Sequence, residues 1–183
     1  MQPRLLILDR DGVINEDSPD FIKCPEEWIP VPGSLQAIGA ATQAGFHIAV
    51  VSNQSGLGRG LFAIEDLHRV HARLLHEAER HGGRIDAIFY CPHRPDDHCA
   101  CRKPQPGLLL AAAARSGLAL AHAVMIGDRE SDVAAARAAG VLPVLVRTGH
   151  GAVTAAALED DPDLCIYPDL AYAVDALCAR VPC

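Results

Sequence analysis

The segment at 91–107 reads CPHRPDDHCACRKPQPG and sets Cys91, His93, His98, Cys99 and Cys101 directly before Arg102 and Lys103. Thiolates and imidazoles are soft ligands. Cys91, His93, Cys99 and Cys101 form a C-x-H…C-x-C set that would close a tetrahedral zinc site with no open catalytic position. The one-residue gaps differ from common zinc-finger spacing, so by spacing alone a reduced, metal-free cysteine cluster is the alternative. His98 competes as a ligand, but its neighbour Cys99 fits better and His98 reads as solvated. A metal clip one residue before Arg102 would aim two long cations that rotamer entropy otherwise scatters.

Two pairs of carboxylates could do different chemistry. Asp9 and Asp11 stand two apart after an apolar run, and Asp128 and Asp132 stand four apart after another. Singly, each reads as an ordinary turn or N-cap residue. Converging in one crevice they would repel unless a hard cation sat among them, and carboxylate oxygens plus water suit Mg²⁺. Ser52, Asn53, Gln54 and Ser55 offer hydroxyl, amide and backbone N–H donors for an oxyanion, and Gly56-Leu57-Gly58-Arg59-Gly60 follows as a flexible loop with one cation. Neither a P-loop nor a dinucleotide fingerprint is present. Lys103 would act as a point charge on one phosphoryl group and Arg102 as a two-pronged grip on another. Together these groups make a phosphoryl-transfer site that works through an aspartyl-phosphate.

The elements that must position them alternate in type. Strands are expected at 5–8, 47–52, 86–90, 123–126, 143–146 and, more weakly, 164–166. Helices are expected at 34–44, 64–81, 107–116, 130–139 and 170–179. That alternation predicts one α/β domain over 1–183, a doubly wound, Rossmann-like parallel sheet. Its ligand crevice lies outside the carboxyl ends of the strands. Asp9, Ser52, the cysteine loop and Asp128 each follow a strand, so all the loaded segments fall on one rim.

Composition narrows the partners. The 183 residues carry a net charge of −7, which argues against a nucleic-acid or anionic-membrane partner. A phosphorylated small molecule stays open, because local cations or a metal outweigh the global sign. The run at 5–8 is too short for a signal or a span, so a cytoplasmic protein is expected. Cys24, Cys165, Cys178 and Cys183 read as free thiols. Nothing calls for an obligate interface, and a monomer is expected.

The stretches LLILDRDG, VVSNQSG, CRKPQPG and MIGDRESD together resemble the four motifs of the haloacid dehalogenase-like (HAD) phosphatases. From residue 5 to about 148 the chain is similar to the branch holding the heptose-bisphosphate and histidinol-phosphate phosphatases. QSGLGRG followed by KPQPG looks more like the heptose enzymes. The resemblance implies that Asp9 is the nucleophile and Asp11 the proton donor and then base. It implies that Ser52 and Lys103 hold phosphoryl oxygens, and that Asp9, the Asp11 carbonyl and Asp128 bind Mg²⁺, with Asp132 in support. A structural Zn²⁺ on Cys91, His93, Cys99 and Cys101 is implied too. Asp17, Ser18, Pro19 and Asp20, then Asn53, Gln54 and Ser55, then Arg102 and Arg129 match substrate-contacting positions of a sugar phosphate. Arg59 is a further candidate. Val13 departs from the Thr that often follows the motif glycine. The short gaps between motifs leave no room for a separate cap domain, so specificity is expected from the loops at 16–32 and 56–62 and from the cysteine loop. The runner-up is a histidinol-phosphate phosphatase. From other classes come a receiver-like phospho-aspartate switch and a zinc-dependent binding module.

Overall fold

The computed structural model describes residues 4–179. Six parallel strands form one sheet: β1 (Arg4–Leu8), β2 (Phe46–Asn53), β3 (Ala87–Cys91), β4 (Val124–Gly127), β5 (Leu142–Val146) and β6 (Cys165–Tyr167), in the order β3-β2-β1-β4-β5-β6. The expected doubly wound parallel sheet is therefore present. The helices are α1 (Ser34–Gln43), α2 (Ser55–Gly58), α3 (Ile64–Arg80), α4 (Gly107–Ser116), α5 (Glu130–Ala138), α6 (Gly151–Ala157) and α7 (Leu170–Ala179).

β1 shows why the strands read as continuous apolar runs. Leu6 and Leu8 face one side of the sheet, packing with residues of α1, α3 and α7, while Leu5 and Ile7 face the other with residues of α4 and α5. A strand buried on both faces has no polar side to alternate with. The order reverses between β1 and β4, and in open α/β sheets that switch point opens the ligand crevice at the strand ends. Asp9 and Asp128 are the residues that directly follow those two strands.

Three readings need correction. The segment expected to be a flexible loop after Ser55 forms one helical turn, α2. α6 lies in a stretch where no element was expected, because seven residues opening on a glycine carry too short a pattern to register. Cys165 was read as a free thiol and is disulfide-bonded. Cys24 and Cys178 are free as expected, and Cys183 lies outside the described residues. Among the described residues no helix is long and apolar enough to cross a membrane.

Candidate active site

A cleft of about 950 Å³ opens at the switch point. At its floor, Lys103 is buried, and its ammonium meets Asp9 Oδ1 at 2.8 Å, Asp132 Oδ1 at 2.7 Å and the Val51 carbonyl at 3.0 Å. The Lys103 backbone is clamped by Asn53, whose Oδ1 accepts from the Lys103 N–H at 3.0 Å while its Nδ2 donates to the Lys103 carbonyl at 3.0 Å. Asn53, expected to touch substrate, lines the cleft and uses its amide to hold the lysine backbone.

Asp9 Oδ1 also accepts from the Arg10 N–H at 2.7 Å; among the described residues no hydrogen bond engages Oδ2. Asp132 Oδ1 has the Lys103 ion pair but no hydrogen-bond partner among the described residues. Its Oδ2 accepts from the backbone N–H of Asp128 at 3.2 Å and of Arg129 at 3.1 Å. Asp128 Oδ2 accepts from the His150 N–H at 2.7 Å, whereas its buried Oδ1 has no partner. Gly12 and Gly149 let the chain close around this carboxylate. Both have positive φ, and a Cβ on either would stand 2.2 and 2.3 Å from Asp128 Oδ2.

Charge bookkeeping at the floor gives three buried carboxylates to one ammonium. Burial raises the Asp9 pKa well above its ordinary value; Lys103 opposes this while Asp132 and Asp128 add to it. Burial likewise raises Asp128 to about 6, against the pull of the His150 N–H. Lys103 is raised too, because Asp132 and Asp9 overcome the effect of burial. An unpartnered buried oxygen within a cluster of Asp9, Asp128 and Asp132 oxygens, all within 4.8 Å of one another, fits a hard divalent cation.

Asp11 turns away from that cluster. Its carboxylate takes a two-pronged contact from buried Arg10, Nε to Oδ1 at 3.0 Å and NH2 to Oδ2 at 2.9 Å. Asn15 Nδ2 and Gln54 Nε2 each donate to it at 2.9 Å, and the Ser52 hydroxyl lies 3.5 Å away. Burial works to raise the Asp11 pKa, but Arg10 and these amides outweigh it and hold it below the ordinary value. Behind Arg10, His71 Nε2 stands 3.4 Å from NH1. Burial, then Arg10, push the His71 pKa down to about 3, so the imidazole is neutral and accepts.

At the rim, Asp17 bridges Arg129 NH2 at 2.6 Å and His150 Nε2 at 3.2 Å. Ser18, Pro19, Gln54, Ser55 and Arg102 line the cleft with them, while Asp20 and Arg59 are exposed and do not. Cys91, His93, Cys99 and Cys101 converge beside the cleft within 4.8 Å, and exposed His98 stays outside. Their sulfurs approach to 3.2–3.5 Å and His93 Nδ1 lies 3.3 Å from Cys101 Sγ. Four soft donors converging on one point fit a tetrahedral zinc. Cys99 Sγ accepts from the Arg102 N–H at 3.4 Å, and Arg102 NH1 donates to the His93 carbonyl at 3.4 Å, so the cluster does anchor that arginine.

Sequence reasoning missed Arg10, His71, Thr148, Gly149 and His150. Thr148 Oγ1 donates to the Gly12 carbonyl at 2.6 Å, tying the β5 loop to the Asp9 loop. Only the position of 147–150 after a strand could have flagged it.

A family profile described as HAD-hydrolase-like matches residues 100–173. The chain is 47% identical over 177 residues to the D-glycero-beta-D-manno-heptose-1,7-bisphosphate 7-phosphatase of Pseudomonas aeruginosa, covering 97% of this chain and 99% of the relative. It is 50% identical over 153 residues to the Bordetella bronchiseptica protein of the same name, covering 84% and 86%. A crystal structure of D,D-heptose 1,7-bisphosphate phosphatase from B. bronchiseptica, complexed with magnesium and phosphate, superposes with a TM-score of 0.93 at 46% identity, covering 97% of this chain and 99% of that one.

Proposed function

The chain belongs to the D-glycero-beta-D-manno-heptose-1,7-bisphosphate 7-phosphatase family of HAD-like hydrolases, and from that premise we propose that it hydrolyses the C7 phosphate of such a bisphosphate. The observation that carries the reading is Asp9 itself. It is a buried carboxylate with Oδ2 unengaged, set against the Lys103 ammonium at the switch point of the sheet.

Asp9 Oδ2 attacks the phosphorus and the ester bond to the sugar oxygen breaks. Asp11 gives that oxygen a proton. Water, losing a proton to Asp11, then opens the Asp9–phosphate bond and inorganic phosphate leaves. Asp11 is ionised in the free protein; a phosphate dianion arriving beside it raises its proton affinity and equips it for the acid step. Lys103 and the Ser52 hydroxyl face the phosphoryl oxygens, and Lys103 keeps its charge throughout. Mg²⁺, held by Asp9, the Asp11 carbonyl and Asp128, supplies the charge that lets two anions meet. Asp132 stays outside that set, its Oδ2 holding the Asp128 and Arg129 N–H groups and its Oδ1 paired with the Lys103 charge. Arg102 and Arg129 at the rim suit the second phosphate of the substrate.

Zinc on the cysteine cluster is structural, because four protein ligands leave no open position. A cytoplasmic monomer, supplying lipopolysaccharide core precursors, is consistent with a sugar-phosphate substrate. Phosphate release should be measured over sugar mono- and bisphosphates and histidinol phosphate, with and without Mg²⁺. Release from the heptose bisphosphate alone, dependent on Mg²⁺, supports the assignment; preference for histidinol phosphate would sink it.

A further inference from the structure

Asn15 and Trp28 are both fully buried, and neither reaches the phosphate-binding floor. Trp28 Nε1 donates to Asn15 Oδ1 at 2.9 Å. The Asn15 Nδ2 gives one hydrogen to Asp11 Oδ1 at 2.9 Å and the other to the Glu16 carbonyl at 2.9 Å. An indole N–H only donates, so the tryptophan dictates which end of the amide is oxygen. The opposite flip would set two donors against each other at Trp28 and two acceptors against each other at Asp11. Asn15 therefore has a single orientation.

Asp11 needs such a restraint. Its other polar partners, Arg10, Gln54 and Ser52, all line the open cleft that substrate must enter, whereas Asn15 does not. Asn15 presses on Oδ1 from the protein side. We propose that Asn15, locked by Trp28, is a positioning residue that holds the Asp11 carboxylate in register with the ester oxygen. The packing of the 16–32 loop, to which Trp28 belongs, thereby bears on proton transfer. This rests on the reading of Asp11 as proton donor and base.

The test uses two esters of different leaving-group ability. A sugar phosphate expels an alkoxide and needs Asp11's proton; p-nitrophenyl phosphate expels a stable phenolate and does not. For each, kcat/KM reports the steps up to transfer onto Asp9, before the shared hydrolysis. Asn15→Asp, which keeps the shape of the amide, and Asn15→Ala should lower kcat/KM for the sugar phosphate by about a hundredfold. The loss on the aryl ester should be roughly tenfold smaller. Trp28→Phe, which touches neither Asp11 nor substrate, should discriminate in the same direction. Folding is checked by thermal melting, and Trp28→Phe carries the test should the Asn15 variants not fold. Equal losses on both esters, with Asp11→Asn still discriminating, would overturn the role of Asn15. An Asp11→Asn protein that does not discriminate would remove the premise about Asp11 instead, and the inference with it.

Discussion

Lys103 Nζ lies 2.8 Å from Asp9 Oδ1, and the same ammonium lies 2.7 Å from Asp132. Because all three groups are buried, neither water nor salt screens these contacts appreciably. The lysine is at once the largest favourable charge for Asp9 and the group that keeps the floor compact enough to grip a phosphoryl oxygen.

Replacing it tests both functions together. Lys103→Met leaves the carboxylates without a fixed cation, a change that costs about 3–5 kcal/mol in comparable buried pairs. Urea unfolding without Mg²⁺ should show a loss of this order, and phosphate release should fall by roughly 10²–10³. A variant of parental stability would mean the floor is less desolvated than the geometry says.

Asp9→Asn should separate stability from activity. It removes the nucleophile, so turnover should fall by roughly 10³ or more. It also removes one of three crowded negative charges, so the metal-free melting temperature should rise. Phosphate release and a thermal melt in chelator measure the two. Parental turnover would end the aspartyl-phosphate reading.

The cysteine cluster acts through Arg102, whose N–H is held by Cys99 Sγ. Cys99→Ser, or zinc withdrawal by a strong chelator, should lower the melting temperature and turnover together. Full activity in a protein shown by elemental analysis to lack zinc would remove the positioning role of the clip.

His71 gives a pH signature away from the metal-binding carboxylates. Its folded pKa is depressed from 6.5 to about 3, so the unfolded chain binds the extra proton between those values. Stability from this group is complete above 6.5 and is lost as pH falls toward 3. The slope is at most about 1.4 kcal/mol per pH unit. The groups facing it are Arg10, Asp11 and His68, with the Tyr90 ring 5.8 Å away. Denaturation midpoints across that window should fall more steeply for the parent than for His71→Gln. Parallel curves would show that His71 titrates normally.

The strand-end carboxylates, Ser52, Lys103 and the cysteine cluster were legible in the sequence. A buried parallel strand is an unbroken apolar run, and the first polar residue after it marks the crevice. The motifs that resemble the HAD phosphatases sit at those ends, so fold and chemistry were read from the same few positions. α6 and the Thr148–His150 contacts were not legible, because seven residues beginning at a glycine carry no period, and their importance lies in what they touch.

What the sequence determined by itself is which residue types reach the rim, because β and α periodicity are local properties of the chain. Only the tertiary structure decided how each is spent. It gave Asn53 to the Lys103 backbone, Asp132 Oδ2 to the α5 N-terminus, and Asp11 to Arg10 and Asn15. A side chain has few hydrogen-bonding atoms, and burial makes most of them find a partner. That partner comes from whichever distant segment packing brings within 3 Å or so, a choice that spacing along the chain does not encode.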